Sequence, residues 1–315
     1  MFTLSTTARK SLAIASIAAL SVSAVACNRG ESSDGADGGS VTLALSTQTN
    51  PFFVELRDGA QAKADELGID LDIQDASDDA ATQADQLRNA ETSGADVVIV
   101  NPTDSDAVGS AVQSLNNADI PVIAVDRSSN SGEVASFVAS DNVAGGKQAA
   151  DALAKAIGEE GEILVLQGIA GSSASRDRGQ GFEEGIAEYP DIEVVAKQTA
   201  NFDRTEGLNV TTNLLQANPN IKAIFAENDE MALGAIEALG ARAGEEVKVF
   251  GFDGTADGLT AVEDGKLEGT IAQQPDELGA RAVEQAAAIL EGGTAEEEVP
   301  VEVVTVTNEN VAEFK

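Results

Sequence analysis

Asn, Asp, Gln and Arg recur at or just after the ends of six apolar, strand-like runs, and such side chains supply the donors and acceptors that hold a small hydroxylated molecule. The run 97–100 ends in Asn101, and the run 121–125 ends in Asp126-Arg127. The run 162–166 leads through a Gly/Ser loop to Arg176 and Arg178. The runs 223–226, 247–252 and 269–272 lead to Asn228, Asp253 and Gln273. In open α/β sheets the ligand crevice lies beyond the carboxyl ends of the strands. Position and chemistry therefore point to the same place.

Each residue also has a plainer reading. Asn50 caps a helix, Asn101 and Asn228 each stand just before one, and Asp253-Gly254 is a common turn pair. Asp126-Arg127 is harder to explain away, because a charged pair at the end of a buried strand costs free energy unless it is partnered. Aromatic residues are scarce, with ten Phe, one Tyr and no Trp, so their placement carries weight. Phe52 and Phe53 follow Asn50 at a helix start, and Phe202 sits in the polar stretch Asn201-Phe202-Asp203-Arg204. A sugar ring offers apolar C–H faces to aromatic planes and hydroxyls around its edge, so a sugar site needs both residue classes. Phe53 also falls on an apolar helix stripe, which suits a core role equally well.

The elements that would position these residues alternate short β-rich runs with helical patterns, as in parallel α/β layers. Strand 41–45 precedes Asn50-Pro51, a helix cap followed by a proline at the first helical position, where its missing N–H costs nothing. Apolar Phe53, Leu56, Ala60, Ala64 and Leu67 then fall on one face, and Gly68 ends the helix. A strand over 71–73, a helix through Leu87, strand 97–100, a helix from about Asp104, strand 121–125 and Phe137-Val138 complete one series. A second series of the same kind runs from a helix at about 142–157 to the Val249 strand. Near the end, 269–273, a helix over 276–290 and a strand over 301–306 return across the boundary. The expected fold class is α/β: two similar Rossmann-like domains with parallel sheets joined by a multi-strand hinge. One lobe is 41–140 plus 274–302, and the other is 141–273 plus 303–315.

The first 40 residues are read as addressing rather than fold. Arg9-Lys10 precedes an apolar, small-residue stretch over 11–26 that is too short to span a bilayer comfortably. Residues 1–26 are read as a signal peptide and 27–40 as an acidic Gly/Ser tether. Ala24-Val25-Ala26-Cys27 suits ordinary cleavage after Ala26, and it also suits lipoprotein processing with Cys27 as the lipidated first residue. A single cysteine rules out an intramolecular disulfide framework. The net charge of −35 argues against nucleic acid, because each phosphate contact needs a cation. The acids are dispersed, which favours solubility over a specific acidic site.

Absences narrow the chemistry further. There is no His, and the chain's one Cys lies outside the expected fold, so Ser–His and Cys–His catalysis and zinc sites built on His or thiolate ligands are unavailable. Gly145-Gly146-Lys147-Gln148 lacks the spacing of a phosphate-binding loop, and Gly179, Gly181 and Gly185 miss the dinucleotide fingerprint. Composition leaves catalysis by paired carboxylates open, but no motif supports it, and no metal or cofactor is expected.

Over about 41–306 the chain resembles the periplasmic ribose-binding proteins of bacterial ABC importers. The resemblance is carried by Asn50-Pro51-Phe52-Phe53, Asn101-Pro102-Thr103-Asp104-Ser105-Asp106, Asp126-Arg127, Ser140-Asp141-Asn142, Gln167-Gly168-Ile169-Ala170-Gly171, Phe202-Asp203-Arg204, Asn228-Asp229-Glu230-Met231, Gly251-Phe252-Asp253-Gly254-Thr255 and Ile271-Ala272-Gln273. It implies a type I periplasmic binding protein fold and a non-enzymatic receptor that closes on D-ribose by hinge motion. The implied partners are an ABC permease with its ATP-binding subunit. The membrane would be met only through a lipid at Cys27, and the protein would be a monomer. It also implies that Phe52 and Phe53 stack on one side of the sugar and Phe202 on the other. Asn50, Asn101, Asp126, Arg127, Arg178, Asn228, Asp253 and Gln273 would hold its hydroxyls and ring oxygen. The acidic surface and the tether depart from the pattern, and they bear on which permease is met. Rival readings are the same module tuned to another pentose, allulose or a signalling molecule, with a chemoreceptor contact left open. A sugar-responsive repressor would need a basic DNA-binding segment ahead of the body, where this chain has an export signal.

Overall fold

The computed structural model describes residues 39–315; the expected signal peptide, Cys27 and most of the tether lie outside these residues. Ser40, assigned to the tether on sequence, is the first residue of a strand. Among the described residues no helix is long and apolar enough to cross a membrane.

The first half of the chain contributes β1 (Ser40–Leu45), α1 (Pro51–Leu67), β2 (Asp70–Asp75), α2 (Ala80–Ser93), β3 (Val97–Val100), α3 (Gly109–Asn117), β4 (Val122–Val125) and β5 (Ser136–Ser140). The second contributes α4 (Asn142–Ala156), β6 (Gly161–Gln167), α5 (Ser173–Ile186), β7 (Ile192–Thr199), α6 (Arg204–Ala217), β8 (Ala223–Ala226) and α7 (Asp229–Leu239). It continues with β9 (Lys248–Asp253), α8 (Ala256–Glu263) and β10 (Gly269–Ala272), and the chain ends with α9 (Pro275–Leu290), β11 (Glu298–Val301) and β12 (Val304–Thr307). Two six-stranded sheets result, with orders β2-β1-β3-β4-β5-β11 and β7-β6-β8-β9-β10-β12. Each is one α/β domain, and the first five positions of the two sheet orders have the same topology, while the sixth strand is parallel in one and antiparallel in the other. In both, the order reverses beside the first strand, β1 or β6, which places the crevice at that end.

Local chemistry explains the elements. Asn50 Oδ1 accepts from Phe52 N at 3.0 Å and Pro51 follows at the first helical position, so α1 starts where its free N–H groups are satisfied. Gly68, at φ 70°, closes it in the left-handed conformation. β3, β4 and β8 (VVIV, VIAV, AIFA) are buried throughout, as parallel strands covered on both faces must be. Leu56 on α1 and Leu278 on α9 cover one face of the first sheet, while Leu87 and Leu115 cover the other. In the second sheet, Phe182 and Phe225 stack at 4.2 Å within the α4–α5 side of the core.

The Gly145-Gly146 pair that fails as a phosphate loop turns out to be packing. A Cβ on Gly145 would lie 2.7 Å from the Phe252 ring, and one on Gly146 would lie 2.3 Å from the Arg178 carbonyl. Two helices therefore touch backbone to backbone, and the contact sets the position of Arg178.

Three differences from the sequence reading stand out. The helix expected from Asp104 begins at Gly109, because Asp104 Oδ1 accepts from Asp106 N and Ala107 N and holds 104–108 as a turn. The strand expected over 301–306 is two strands: β11 runs parallel to β5 in the first sheet, and β12 antiparallel to β10 in the second. The short helix α8 had no reading of its own, since eight residues show little periodicity. The chain passes between the sheets three times: after β5, after β10, and between β11 and β12.

Candidate functional site

The carboxyl ends of the two sheets face each other across a small cavity. It is lined by Asn50, Phe52, Phe53, Asp126, Arg127, Ala174, Arg178, Phe202, Asn228 and Asp253. Phe52 and Phe53 lead α1 from one half, their rings edge-to-face at 5.1 Å. Phe202 comes from the other half, on the turn before α6, with φ 61°. The halves also meet at the rim: Ser105 N donates to Gly171 O at 3.0 Å, and Ser128 N donates to Ser173 Oγ at 2.8 Å.

Asp126 and Asp253 occupy equivalent places, at the ends of the fourth strand of each sheet order. Both have positive φ, 65° and 120°, unusual for residues with a side chain and typical of strained functional positions. Each is tied to the residue ending a neighbouring strand. Asn101, after β3, donates from Nδ2 to Asp126 Oδ2 at 3.1 Å, and Gln273, after β10, donates from Nε2 to Asp253 Oδ1 at 2.7 Å. Asn101 Oδ1 is taken by Ser46 N and Oγ, and its Nδ2 also reaches Val125 O. Asn101 and Gln273, expected as ligand contacts, thus hold the two carboxylates, and Gln273 keeps a buried Oε1 unpaired among the described residues.

Two guanidinium groups complete the site. Arg127 Nη1 donates to Pro102 O at 3.2 Å, its Nε lies 3.5 Å from Asp126 Oδ2, and its plane lies near the rings of Phe53 and Phe202. Arg178, from α5, donates to Asn142 Oδ1 at 2.8 Å, to the Glu227 carbonyl at 2.7 Å and to Asp253 Oδ1 at 3.3 Å. Its carbon lies 3.9 Å from the Phe252 ring centre, a cation–π contact. Arg176, the other arginine in that stretch, is exposed and donates to Gly171 O outside the cavity. Asn50 and Asn228 each spend the amide oxygen on a helix cap, while their side chains line the cavity.

Burial dominates the electrostatics. It pushes the carboxyls of Asp126 and Asp253 up, against the pull of Arg127 and Arg178. It pushes Arg127 down, against the attraction of Asp126. The arrangement is a buried slot with aromatic walls and fixed donors and acceptors of both signs, able to grip a polyhydroxylated ring.

A model of the periplasmic binding protein domain matches residues 41–294. The chain belongs to this family. Among relatives of this binding protein is the ribose import binding protein RbsB of Escherichia coli (strain K12), 48% identical over 91% of this chain and 97% of that one. RbsB of Bacillus subtilis (strain 168) is 45% identical over 80% and 82%. A solved ABC transporter periplasmic solute binding protein from Actinobacillus succinogenes, with bound D-allose, superposes with a TM-score of 0.82 at 36% identity, covering 87% and 99%. These relatives are substrate-binding proteins of transporters and not enzymes, and members of the family are exported to the periplasm.

Three residues of the binding protein escaped the sequence reading of the site. Ala174 lines the cavity, Asn142 orients Arg178, and Glu227 lies buried behind it. Glu227 carried one usable signal: it directly precedes Asn228, at the end of an all-apolar strand.

Proposed function

We propose that this protein is the extracytoplasmic receptor of an ABC sugar importer, binding D-ribose between its lobes and handing it to a membrane permease and its ATP-binding subunit. The observation that carries the reading is the make-up of the cavity, with Phe52, Phe53 and Phe202 set among Asp126, Arg127, Arg178 and Asp253. Phenyl faces suit the C–H faces of a sugar ring. Charge-assisted bonds to its hydroxyls would each contribute about 1.5–3 kcal/mol. Asp126 Oδ1 and Gln273 Oε1 are buried acceptors with no donor among the described residues, suited to hydroxyl protons. The lobes 41–140 plus 274–302 and 141–273 plus 303–315 would swing about the three crossings as a monomer closes on its sugar. The relatives named for ribose support the pentose. The D-allose in a 36%-identical neighbour supports a second reading, the same receptor tuned to another small sugar.

Calorimetric titration of the protein without 1–26 tests both. D-ribose is expected to bind at about 1 μM or tighter, roughly −8 kcal/mol, with xylose, arabinose, allulose, glucose and galactose much weaker. Tight binding of another sugar alone would move the specificity, and no binding by folded protein would sink the sugar reading. Cys27 is proposed as the lipidated residue at the head of the tether. Mass spectrometry of membrane-derived protein should find a diacylglyceryl adduct there; an unmodified Cys27 would reject it.

A further inference from the structure

Behind the lining, Glu227 directly follows β8 as a fully buried side chain. Its Oε2 accepts from Gly168 N at 2.7 Å and from Ser175 Oγ, while its main-chain carbonyl accepts from Arg178 Nη1. One residue thus clasps the loop after β6, the first turn of α5 and the Arg178 arm of the cavity. Its Oε1 is buried with no partner among the described residues and lies beside Gly179, where a Cβ would come within 3.0 Å of it. An ionised carboxylate leaves that oxygen bearing charge with nothing to bind, whereas the acid form does not. The charged groups bearing on it are Arg178 and Glu183 on α5, with Asp253 of β9 beyond Arg178. Asp229, two residues on, is turned to Thr255 and Thr270.

We propose that Glu227 is a positioning residue that works as the neutral acid, holding Arg178 toward the sugar, and that its ionisation draws Arg178 back and weakens binding. Burial, with Glu183 adding to it, raises this carboxyl to about 7, so the change falls near neutrality. Losing the proton adds a second carboxylate, besides Asp253, to the charges that act on Arg178. The inference rests on the sugar-receptor reading, but it also predicts a signal that needs no sugar.

The test compares the intact protein with Glu227→Gln and Glu227→Ala between pH 6 and pH 8.5, using nitrogen-15 spectra of the Arg178 guanidinium and D-ribose calorimetry. The wild type should lose affinity severalfold as pH rises, with the Arg178 signal moving in step. Glu227→Gln should hold the low-pH affinity and a fixed Arg178 signal throughout, and Glu227→Ala should bind about tenfold more weakly at every pH. A wild-type Arg178 signal and affinity that ignore pH would overturn the proposal, as would a Gln variant that follows the wild-type curve. If ribose fails to bind while the Arg178 signal still titrates with Glu227, the coupling stands and the ribose assignment falls.

Discussion

Arg178→Met should weaken sugar binding by two to three orders of magnitude, while Arg176→Met, two residues away, should change it less than threefold. Arg178 bonds to Asn142, the Glu227 carbonyl and Asp253, and lies against the Phe252 ring. Methionine keeps much of the stem volume but none of the fork of donors. Asp253 is then left buried with Gln273 as its side-chain donor, and removing one partner of a buried charge pair costs on the order of 2–5 kcal/mol. Arg178→Lys should rescue little, because one ammonium cannot reach partners on three elements. Calorimetry reads the affinity, and a melting curve shows that the variant is folded. A folded Arg178→Met protein that binds within fivefold of wild type would remove Arg178 from the site. A large loss in Arg176→Met would mean that the rim bond to Gly171 contributes more than its exposure suggests.

That contrast between two arginines also marks how far the sequence could be read. The repeated rule of a polar residue after an apolar strand found most of the cavity, because a parallel sheet brings the ends of its strands to one edge. It could not say which of those residues bond to each other. Asn101 follows β3 and Asp126 follows the adjacent β4; Ala272, just before Gln273, pairs in register with Asp253. Neighbouring strand ends bond across the gap, so Asn101 and Gln273 also orient Asp126 and Asp253. The paired series gave two lobes of like topology, while the break at Glu302-Val303 was hidden because Val recurs on both sides of it. Glu227 was missed for a different reason. In a chain with 54 acids, one more beside a strand looks like surface.

Burial of that acid has a consequence for stability that is separate from any ligand. Glu227 is raised from 4.5 to about 7, so between those values the folded protein keeps a proton that the unfolded chain has released. The stability carried by this proton is whole below about pH 4.5 and is lost as pH rises through about 7. A shift of that size corresponds to about 3 kcal/mol. Gln carries no charge in either state, so Glu227→Gln should resemble wild type near pH 5 and be the more stable protein at pH 8. At 2–4 °C per kcal/mol, the difference in melting temperature between the two proteins should grow by roughly 5 °C or more from pH 5 to pH 8. Asp229 and Asp253 are also pushed up by burial, so wild type alone would lose stability with pH for several reasons at once. The difference between the two proteins cancels those shared contributions and isolates Glu227. Parallel melting curves across the range would mean that the ionised carboxylate is accommodated without cost, by a donor reaching Oε1 or by water entering beside Gly179.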